Sequence, residues 1–515
     1  MSRTESSLRN LYTAFAGQTL AVVISFVARK IFLYYLNEEY LGLNGLFSNM
    51  LTIFSLVELG IGPAINFALY KPLAEHNYEQ VKSLMALYKK FYRLIGCCIA
   101  GIGILFTPLY KLFLSETPNL PHLTLIYWLF LANTVISYFY SYKQALIICD
   151  EKRYIATTFH YIFFFLMNVI QIVLLIATHS YILFLFIQVI FTFFENVNIS
   201  LQADRIYPYL REKNVERLSQ ETLDGIKKNV YAMVCHKIGG MIVLSTDNLI
   251  LSKFVGLTAV GIYSNYYLIT NALNKIIGQV FTSLTASIGN LNASEGIENR
   301  YKLQRTFERV FFLNFWIYGF SACCLWGLFN PFISLWLGDN LLFNNFTVLI
   351  IVVNYYLYGI RRTAIMYREA TGAFYFDRYK PLVESAINII VSIILAQRIG
   401  TAGVFLGTII STLLACILVE PYVVYKHVLN ASFGSYCARF LKYAFATAAA
   451  GALITLIGHA IRIQNTVLNF VVRCVLCAIV PNFLFLVCFF RTNEFRFFVE
   501  FLTNGFKRLA KFSSK

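Results

Sequence analysis

Long apolar runs follow one another along the whole chain with only short polar joints between them, and the runs are too long for the helices of a water-soluble core. A membrane crossing needs about 20 mostly apolar residues to cover roughly 30 Å of hydrocarbon. Such runs lie near residues 9 to 36, 41 to 70, 86 to 110, 123 to 148, 155 to 178 and 180 to 202. A second series lies near 230 to 252, 258 to 288, 308 to 333, 344 to 369, 381 to 398 and 401 to 424, and two more lie near 442 to 462 and 468 to 490. The pattern predicts an all-α polytopic membrane protein of about 14 transmembrane helices. With 58% hydrophobic residues in 515, the joints cannot house a soluble catalytic domain.

Lysine and arginine set the expected orientation, because short cytoplasmic loops retain them. One set of joints carries Lys71, Lys82, Lys89, Lys90, Lys152, Arg153, Arg205, Arg211, Lys213, Arg217, Lys227 and Lys228. The same side continues with Arg300, Lys302, Arg305, Arg309, Arg378, Lys380, Lys426, Arg439 and Lys442. The other side offers Lys111, Lys253, Arg398 and Arg462. Both termini are therefore expected in the cytoplasm. Most of the formal net charge of +17 is this asymmetry, so anionic lipid is an expected partner and nucleic acid is not. Phe497, Phe498, Phe501, Leu502 and Leu509 beside Arg496, Lys507, Arg508 and Lys511 predict a basic amphipathic helix on the cytoplasmic surface. Residues 1 to 10 are polar and the run after them exceeds a signal-peptide core, so it is expected to stay as a span. Cys474 and Cys477 form a CxxC inside an apolar run without further ligands nearby, and neither metal nor cofactor is expected.

The chain repeats itself. Gly45-Leu46-Phe47-Ser48-Asn49 recurs as Gly261-Ile262-Tyr263-Ser264-Asn265, displaced by 216 positions. Phe106-Thr107-Pro108-Leu109 recurs as Phe329-Asn330-Pro331-Phe332 at 223, and Arg153-Tyr154 as Arg378-Tyr379 at 225. Matches in the same order with slowly growing displacement predict a duplicated unit of six spans. An even span count gives both copies one direction, and transporters built this way bind substrate between their halves. The expected organisation is a six-helix lobe at 1 to 203, a cytoplasmic inter-lobe loop at 204 to 229, a second six-helix lobe at 230 to 425, two additional helices at 426 to 490 and the basic tail at 491 to 515. Aligning Gly42 with Gly261 instead gives a displacement of 219, and the sequence does not choose between the two registers.

A charge at mid-span costs roughly 2.5–3.5 kcal/mol on insertion scales, which makes intramembrane charge a marker of function. Arg29, Lys30, Glu58, Asp247, Lys275, Arg361, Arg362, Arg368 and Glu384 all fall inside apolar runs. The cations Arg29, Lys30, Lys275, Arg361, Arg362 and Arg368 are candidates for an anionic head group in a water-filled cavity, since a guanidinium fork suits phosphate. Snorkelling or ion pairing is the structural alternative, and it weighs most for Lys30, Arg362 and Arg368. Glu58, Asp247 and Glu384 are candidates for ion coupling or gating, because a membrane carboxylate can take up H⁺ or Na⁺. In the 219 register Asp247 aligns with Ala28, beside Arg29, which suggests opposite charges closing the outward side. Asn265, Asn271, Asn274 and Gln279 form a polar stripe suited to sugar hydroxyls or, equally, to helix–helix hydrogen bonds. Gly60, Gly62 and Pro63 can break the second run beside Glu58.

Four stretches resemble the Wzx-type polysaccharide flippases of the multidrug/oligosaccharidyl-lipid/polysaccharide exporter (MOP) superfamily. They are ARKIFLYYLNEEYLGLNGLF at 28 to 47, VELGIGPAINFALYKPLAE at 57 to 75, STDNLILSKFVGLTAVGIYSNY at 245 to 266 and FDRYKPLVESAINIIVSIILA at 376 to 396. The resemblance implies two six-helix lobes in a MATE-like pseudo-twofold arrangement plus two C-terminal helices. It also implies a cationic central cavity and passage of an undecaprenyl-diphosphate-linked oligosaccharide across a bacterial inner membrane by alternating access. The diphosphate would meet Arg29 and the arginines of the tenth run. The product would serve capsule, O-antigen or exopolysaccharide synthesis, with a polysaccharide polymerase as a further partner. No GxxxxGK[ST] motif is present, so coupling to H⁺ or Na⁺ is expected rather than ATP hydrolysis.

Two other classes compete. A MATE-like multidrug exporter would share the fold but calls for an acidic, aromatic cavity, against which the arginines argue. A membrane-embedded polymerase or glycosyltransferase calls for catalytic groups on a substantial loop, and the longest outward joint, 111 to 122, offers only Glu116 and His122. No catalytic residue is expected, and the chain reads as a secondary transporter rather than an enzyme.

Overall fold

The computed structural model describes residues 3–500 apart from 59, 115–119, 151, 213–214, 217, 294–296, 372, 374–375, 462 and 464; side chains are described there except in 3–16, 74, 228–229, 231–244, 280, 282–287 and 289–300. Glu116 and the tail from 501 onward lie outside the described residues. The described residues form helices and no strand. In chain order they are α1 (Arg3–Tyr35), α2 (Glu38–Phe54), α3 (Ile61–Ala74), α4 (Tyr78–Phe106), α5 (Leu123–Cys149), α6 (Arg153–Thr178), α7 (Tyr181–Ile206) and α8 (Gln220–Phe254). Then follow α9 (Leu257–Ala293), α10 (Ile297–Leu337), α11 (Asn345–Ile360), α12 (Arg362–Thr371), α13 (Lys380–Ile399), α14 (Thr401–Ser411), α15 (Val419–Val423), α16 (Phe433–Ala460) and α17 (Thr466–Phe489).

Each expected run coincides with a helix or a broken helix, and among the described residues eleven segments are long and apolar enough to cross a membrane. Their outer faces are apolar too. Phe445 is 77% exposed and Phe483 66%, an arrangement stable only when lipid covers those faces. Helix starts follow capping chemistry: Asn37, Asn77, Asn344 and Asn465 each accept a backbone N–H of the first turn of α2, α4, α11 and α17.

Three runs break where the sequence has something to place. The run at 41 to 70 becomes α2, a 3₁₀ turn over Ser55–Glu58 and α3, joined at Gly60 with φ of 79°, a conformation open to glycine. The run at 344 to 369 breaks at Arg361 into α11 and α12. The run at 401 to 424 carries π-helical turns over Thr412–Ile417 and Val424–Leu429 on either side of the short α15.

The chain forms two compact units, Met1–Ser264 and Asn265–Lys515. In the first, α5 packs on α4 and α7, α1 on α6, and α2 on α8. Its core gathers Phe47, Tyr110, Tyr127 and Phe130, with Phe47 edge-on to the other three rings at 5.4–5.9 Å. The charged connection at 204 to 229 lies within this unit, because α8 packs on α2 and α3 and Lys253 Nζ donates to the Leu114 carbonyl at 3.3 Å. In the second unit α10 is the axis. Phe307, Phe311, Phe312, Phe315 and Tyr318 are all buried along it, and both α16 and α17 pack on it. Phe315 stacks on Tyr443 at 4.3 Å, and the indole of Trp316 donates to Asn482 Oδ1 at 2.8 Å. The described start of the tail docks here as well, with Phe498 stacked on Trp316 at 5.1 Å.

Inside the first unit the N-terminal ends of α2 and α9 cross in a two-way contact. A Cβ on Gly42 would collide with the carbonyl oxygen of Leu257, and a Cβ on Gly261 would collide with that of Glu38. Gly42 and Gly261, like Glu38 and Leu257, are 219 positions apart, so the contact maps onto itself under the repeat. The structure thereby selects the 219 register over 216. The crossing is reciprocal, and only glycine lets the two backbones touch.

Replacing either glycine by alanine should therefore overpack the crossing and lower stability by about 1–3 kcal/mol. Gly101→Ala is the control, since a Cβ there meets nothing within 4 Å. Thermal unfolding of the detergent-solubilised protein checks this: Gly42→Ala and Gly261→Ala should lose stability to similar extents while Gly101→Ala does not.

Candidate functional site

Beside the glycine crossing sits Arg29. It is half-buried, and its Nη1 donates to Ser264 Oγ at 2.6 Å while the Ser264 hydroxyl donates to the Gly261 carbonyl at 2.7 Å. Serine is thus oriented by its own helix to accept from the guanidinium. The repeat breaks its symmetry at this point. In the 219 register Arg29 corresponds to Asn248 and Ser264 to Gly45, and a Cβ on Gly45 would lie 3.8 Å from Asn248 Nδ2. One of the two corresponding positions carries a cation and the other an amide. Asp247 is half-buried on α8 next to Asn248, and Lys30 is exposed.

Glu58 closes the 3₁₀ turn that interrupts the second run. It accepts from Tyr92 at 2.7 Å, Tyr88 reaches Tyr92 at 3.5 Å, and the Tyr88 hydroxyl also lies 3.2 Å from Asn66 Oδ1. The helix break serves this pair: a Cβ on Gly62 would lie 2.5 Å from both Glu58 Oε1 and the Tyr92 hydroxyl.

The second unit holds a six-membered charge cluster. Arg361, at the break between α11 and α12, donates from Nε and Nη2 to the two oxygens of Glu420 at 2.9 and 2.7 Å, the forked geometry that suits a carboxylate. Lys380 Nζ lies 2.7 Å from Glu420 and 3.1 Å from Glu384, and Glu384 lies 3.7 Å from Arg361. Arg368 pairs with Asp377 and stands 3.8 Å from Glu420. Three cations meet three carboxylates, and Glu420 is 0% exposed. Glu420-Pro421 explains the irregular helix around it, because a proline lacks the N–H that a regular turn would donate and the flanking turns widen to π geometry. Arg361, Arg368 and Glu384, expected as phosphate ligands and a coupling acid, are instead committed to one another and to neighbours the sequence reading did not single out.

The remaining expected residues divide. Lys275 is exposed on α9 and Arg362 half-buried on α12, with Arg362 Nη2 lying 3.3 Å from where a Cβ on Gly278 would sit. Lys30, Lys275 and Arg362 make no ion pair among the described residues. The polar stripe is not one accessible surface: Asn265 is 0% exposed, Asn274 Oδ1 accepts from Tyr318 at 3.2 Å, Asn271 is half-buried and Gln279 exposed. Glu420, Asp377 and Lys380 were missed as a group, although Glu420 stands alone in an apolar run and that was the available signal. Lys143, whose Nζ lies 2.8 and 2.7 Å from the oxygens of Asp204, was missed in the same way.

Removing one member of a buried ion cluster strands its partners, at roughly 3–5 kcal/mol. Glu420→Gln should therefore lower the unfolding temperature in detergent sharply, while Arg361→Met/Glu420→Met, which keeps the formal charges balanced, should cost much less. Equal losses for the single and double variants would refute the ionic account.

No family model and no curated protein matches the chain. Solved structures do. The lipid II flippase MurJ in an inward closed conformation superposes with a TM-score of 0.65 at 14% identity, covering 92% of this chain and 98% of that one. An inward-facing MATE-family multidrug resistance transporter of the MOP superfamily gives 0.61 at 15% identity over 81% of this chain and 97% of that one. A MOP superfamily transporter from Pyrococcus furiosus, whose binding pocket is described as of reverse polarity, gives 0.53 at 15% over 84% and 98%. This chain is a multi-pass, all-α membrane protein with the fold those transporters share.

Proposed function

We propose that this chain moves an undecaprenyl-diphosphate-linked oligosaccharide repeat unit from the cytoplasmic to the outer leaflet of a bacterial plasma membrane by alternating access, both termini being cytoplasmic. The observation that carries this reading is the sorting of intramembrane cations. Arg361, Arg368 and Lys380 are neutralised by carboxylates, whereas Lys30, Lys275 and Arg362 make no ion pair among the described residues. An uncompensated cation in a span costs roughly 2.5–3.5 kcal/mol, and retaining several is consistent with an anionic ligand that neutralises them in passing. A transporter of organic cations has no use for such a surplus. Fold likeness to a lipid II flippase over nearly the whole chain supports the same substrate class. Lys30, Lys275 and Arg362 are the cations proposed to meet the diphosphate, and Arg29, bonded to Ser264, is proposed to join them. Asp247, beside the symmetry partner of Arg29, is the carboxylate for coupling to H⁺ or Na⁺ and for closing the outward side, and the α2–α9 glycine crossing belongs to that closure.

Deleting the gene should leave lipid-linked repeat units on the cytoplasmic leaflet, protected from a membrane-impermeant oxidant, and the wild-type gene should restore their exposure. Arg29→Ala and Arg362→Ala should each slow flipping roughly 10–100-fold, the loss of a charge-assisted hydrogen bond. Asp247→Asn should abolish dependence on the ion gradient. Repeat units that never accumulate, or full rescue by both arginine variants, would overturn the proposal.

A further inference from the structure

The first unit carries an open-mouthed hollow of about 450 Å³ between α2, the 3₁₀ turn, α4, α5 and α7. That lies within the roughly 300–1,000 Å³ of small-molecule sites. Its wall has an unusual composition for the interior of a helical membrane bundle, and hydroxyl chemistry dominates it. Thr52 donates to the Ser48 carbonyl at 2.8 Å, Ser55 to Thr52 at 2.6 Å, Thr134 to Phe130 at 3.0 Å and Ser137 to Thr134 at 2.7 Å. Those protons are spent on the helices' own carbonyls, so these side chains offer lone pairs to the hollow. Glu58 adds a carboxylate to the same wall, and Gln188 an amide. Asn133 Oδ1 is buried there and has no hydrogen-bond partner among the described residues. Phe130, Leu51 and the Tyr138 ring supply apolar surface. None of the lining residues is Lys, Arg or His.

Each observation narrows the occupant. A wall of acceptors calls for a ligand rich in donors, and a space of this size is far larger than a bare monovalent cation needs. The absence of cationic lining excludes a phosphate or a carboxylate, which Glu58 would repel as well. Vicinal hydroxyls present paired donors to a carboxylate, and the C–H face of a pyranose suits Phe130 and Tyr138. We propose that this hollow is a sugar site that accepts a neutral or amine-bearing sugar residue of the transported glycan and rejects an acidic one. The proposal rests on the flippase reading and deepens it. It moves sugar recognition from the α9 asparagine stripe, largely occupied by helix contacts, to a site carried wholly by the first unit, and assigns Glu58 to sugar hydroxyls rather than to ion coupling.

Saturation-transfer NMR on the full-length protein in nanodiscs tests the site directly, with methyl glucopyranoside, methyl galactopyranoside and glucuronate as probes. At least one neutral glycoside should show transfer in the wild type and glucuronate none. Ser137→Phe, which fills the hollow, should abolish the signal. Glu58→Gln, which is isosteric and keeps an acceptor for Tyr92, should weaken it at least about tenfold, as for loss of a charge-assisted hydrogen bond. Absence of transfer from both neutral glycosides, equal transfer from glucuronate, or transfer indifferent to both variants overturns the proposal. Size-exclusion profiles check folding of Ser137→Phe, and Glu58→Gln decides alone where that variant fails. In the deletion strain, wild-type rescue together with undiminished flipping by Glu58→Gln and Ser137→Phe sinks the sugar site and leaves the flippase reading intact. Variant-sensitive glycoside binding without wild-type rescue sinks the flippase reading instead.

Discussion

Charge inside hydrocarbon is the constraint around which both units are built. A single ion at mid-bilayer costs a few kcal/mol, and several within one bundle would be prohibitive unless they cancel. In the second unit six of them do. Arg361, Arg368 and Lys380 meet Asp377, Glu384 and Glu420, and the backbone is bent to let them: α11 ends at Arg361 and two π turns flank the segment that carries Glu420. Three of the six lie in the stretch 376 to 396 that carried the resemblance to polysaccharide flippases. The cluster is self-contained, and its chemistry is that of a pin rather than of a ligand site.

The first unit handles charge differently. Arg29 donates to a serine oxygen, and Glu58 accepts from a tyrosine hydroxyl, so neutral dipoles take part in holding each ion. Both occur where backbones are forced together or apart by small residues: Arg29 beside the Gly42 and Gly261 crossing, Glu58 beside the Gly60 break and the Gly62 contact. The crossing is reciprocal, yet a cation, Arg29, stands beside it where position 248 carries an amide.

Much was legible from local pattern. Every apolar run became a helix, and the break at Gly60 was visible from its composition. The register of the duplication was not legible. The sequence left 216 and 219 open, whereas reciprocal backbone contacts select 219, because short motifs align by chance and carbonyl oxygens do not. Nor did the sequence sort the arginines. Arg361 and Arg362 are adjacent and look alike, yet a helix break turns the first into a carboxylate cage and leaves the second without an ion pair among the described residues.

By itself, then, the chain determined that it lives in lipid, that it crosses many times as helices, and which of its residues would be costly there. Those properties depend on hydropathy and hydrogen-bond bookkeeping along one dimension. Only the tertiary structure decided which costly residues cancel and which stay unspent. Pairing depends on partners dozens of positions away, such as Glu420 for Arg361 or Ser264 for Arg29, and on kinks that aim a side chain inward. It also disclosed the hydroxyl-lined hollow of the first unit, since no run of sequence signals that α2, the 3₁₀ turn and α5 will turn their serines and threonines toward the same space.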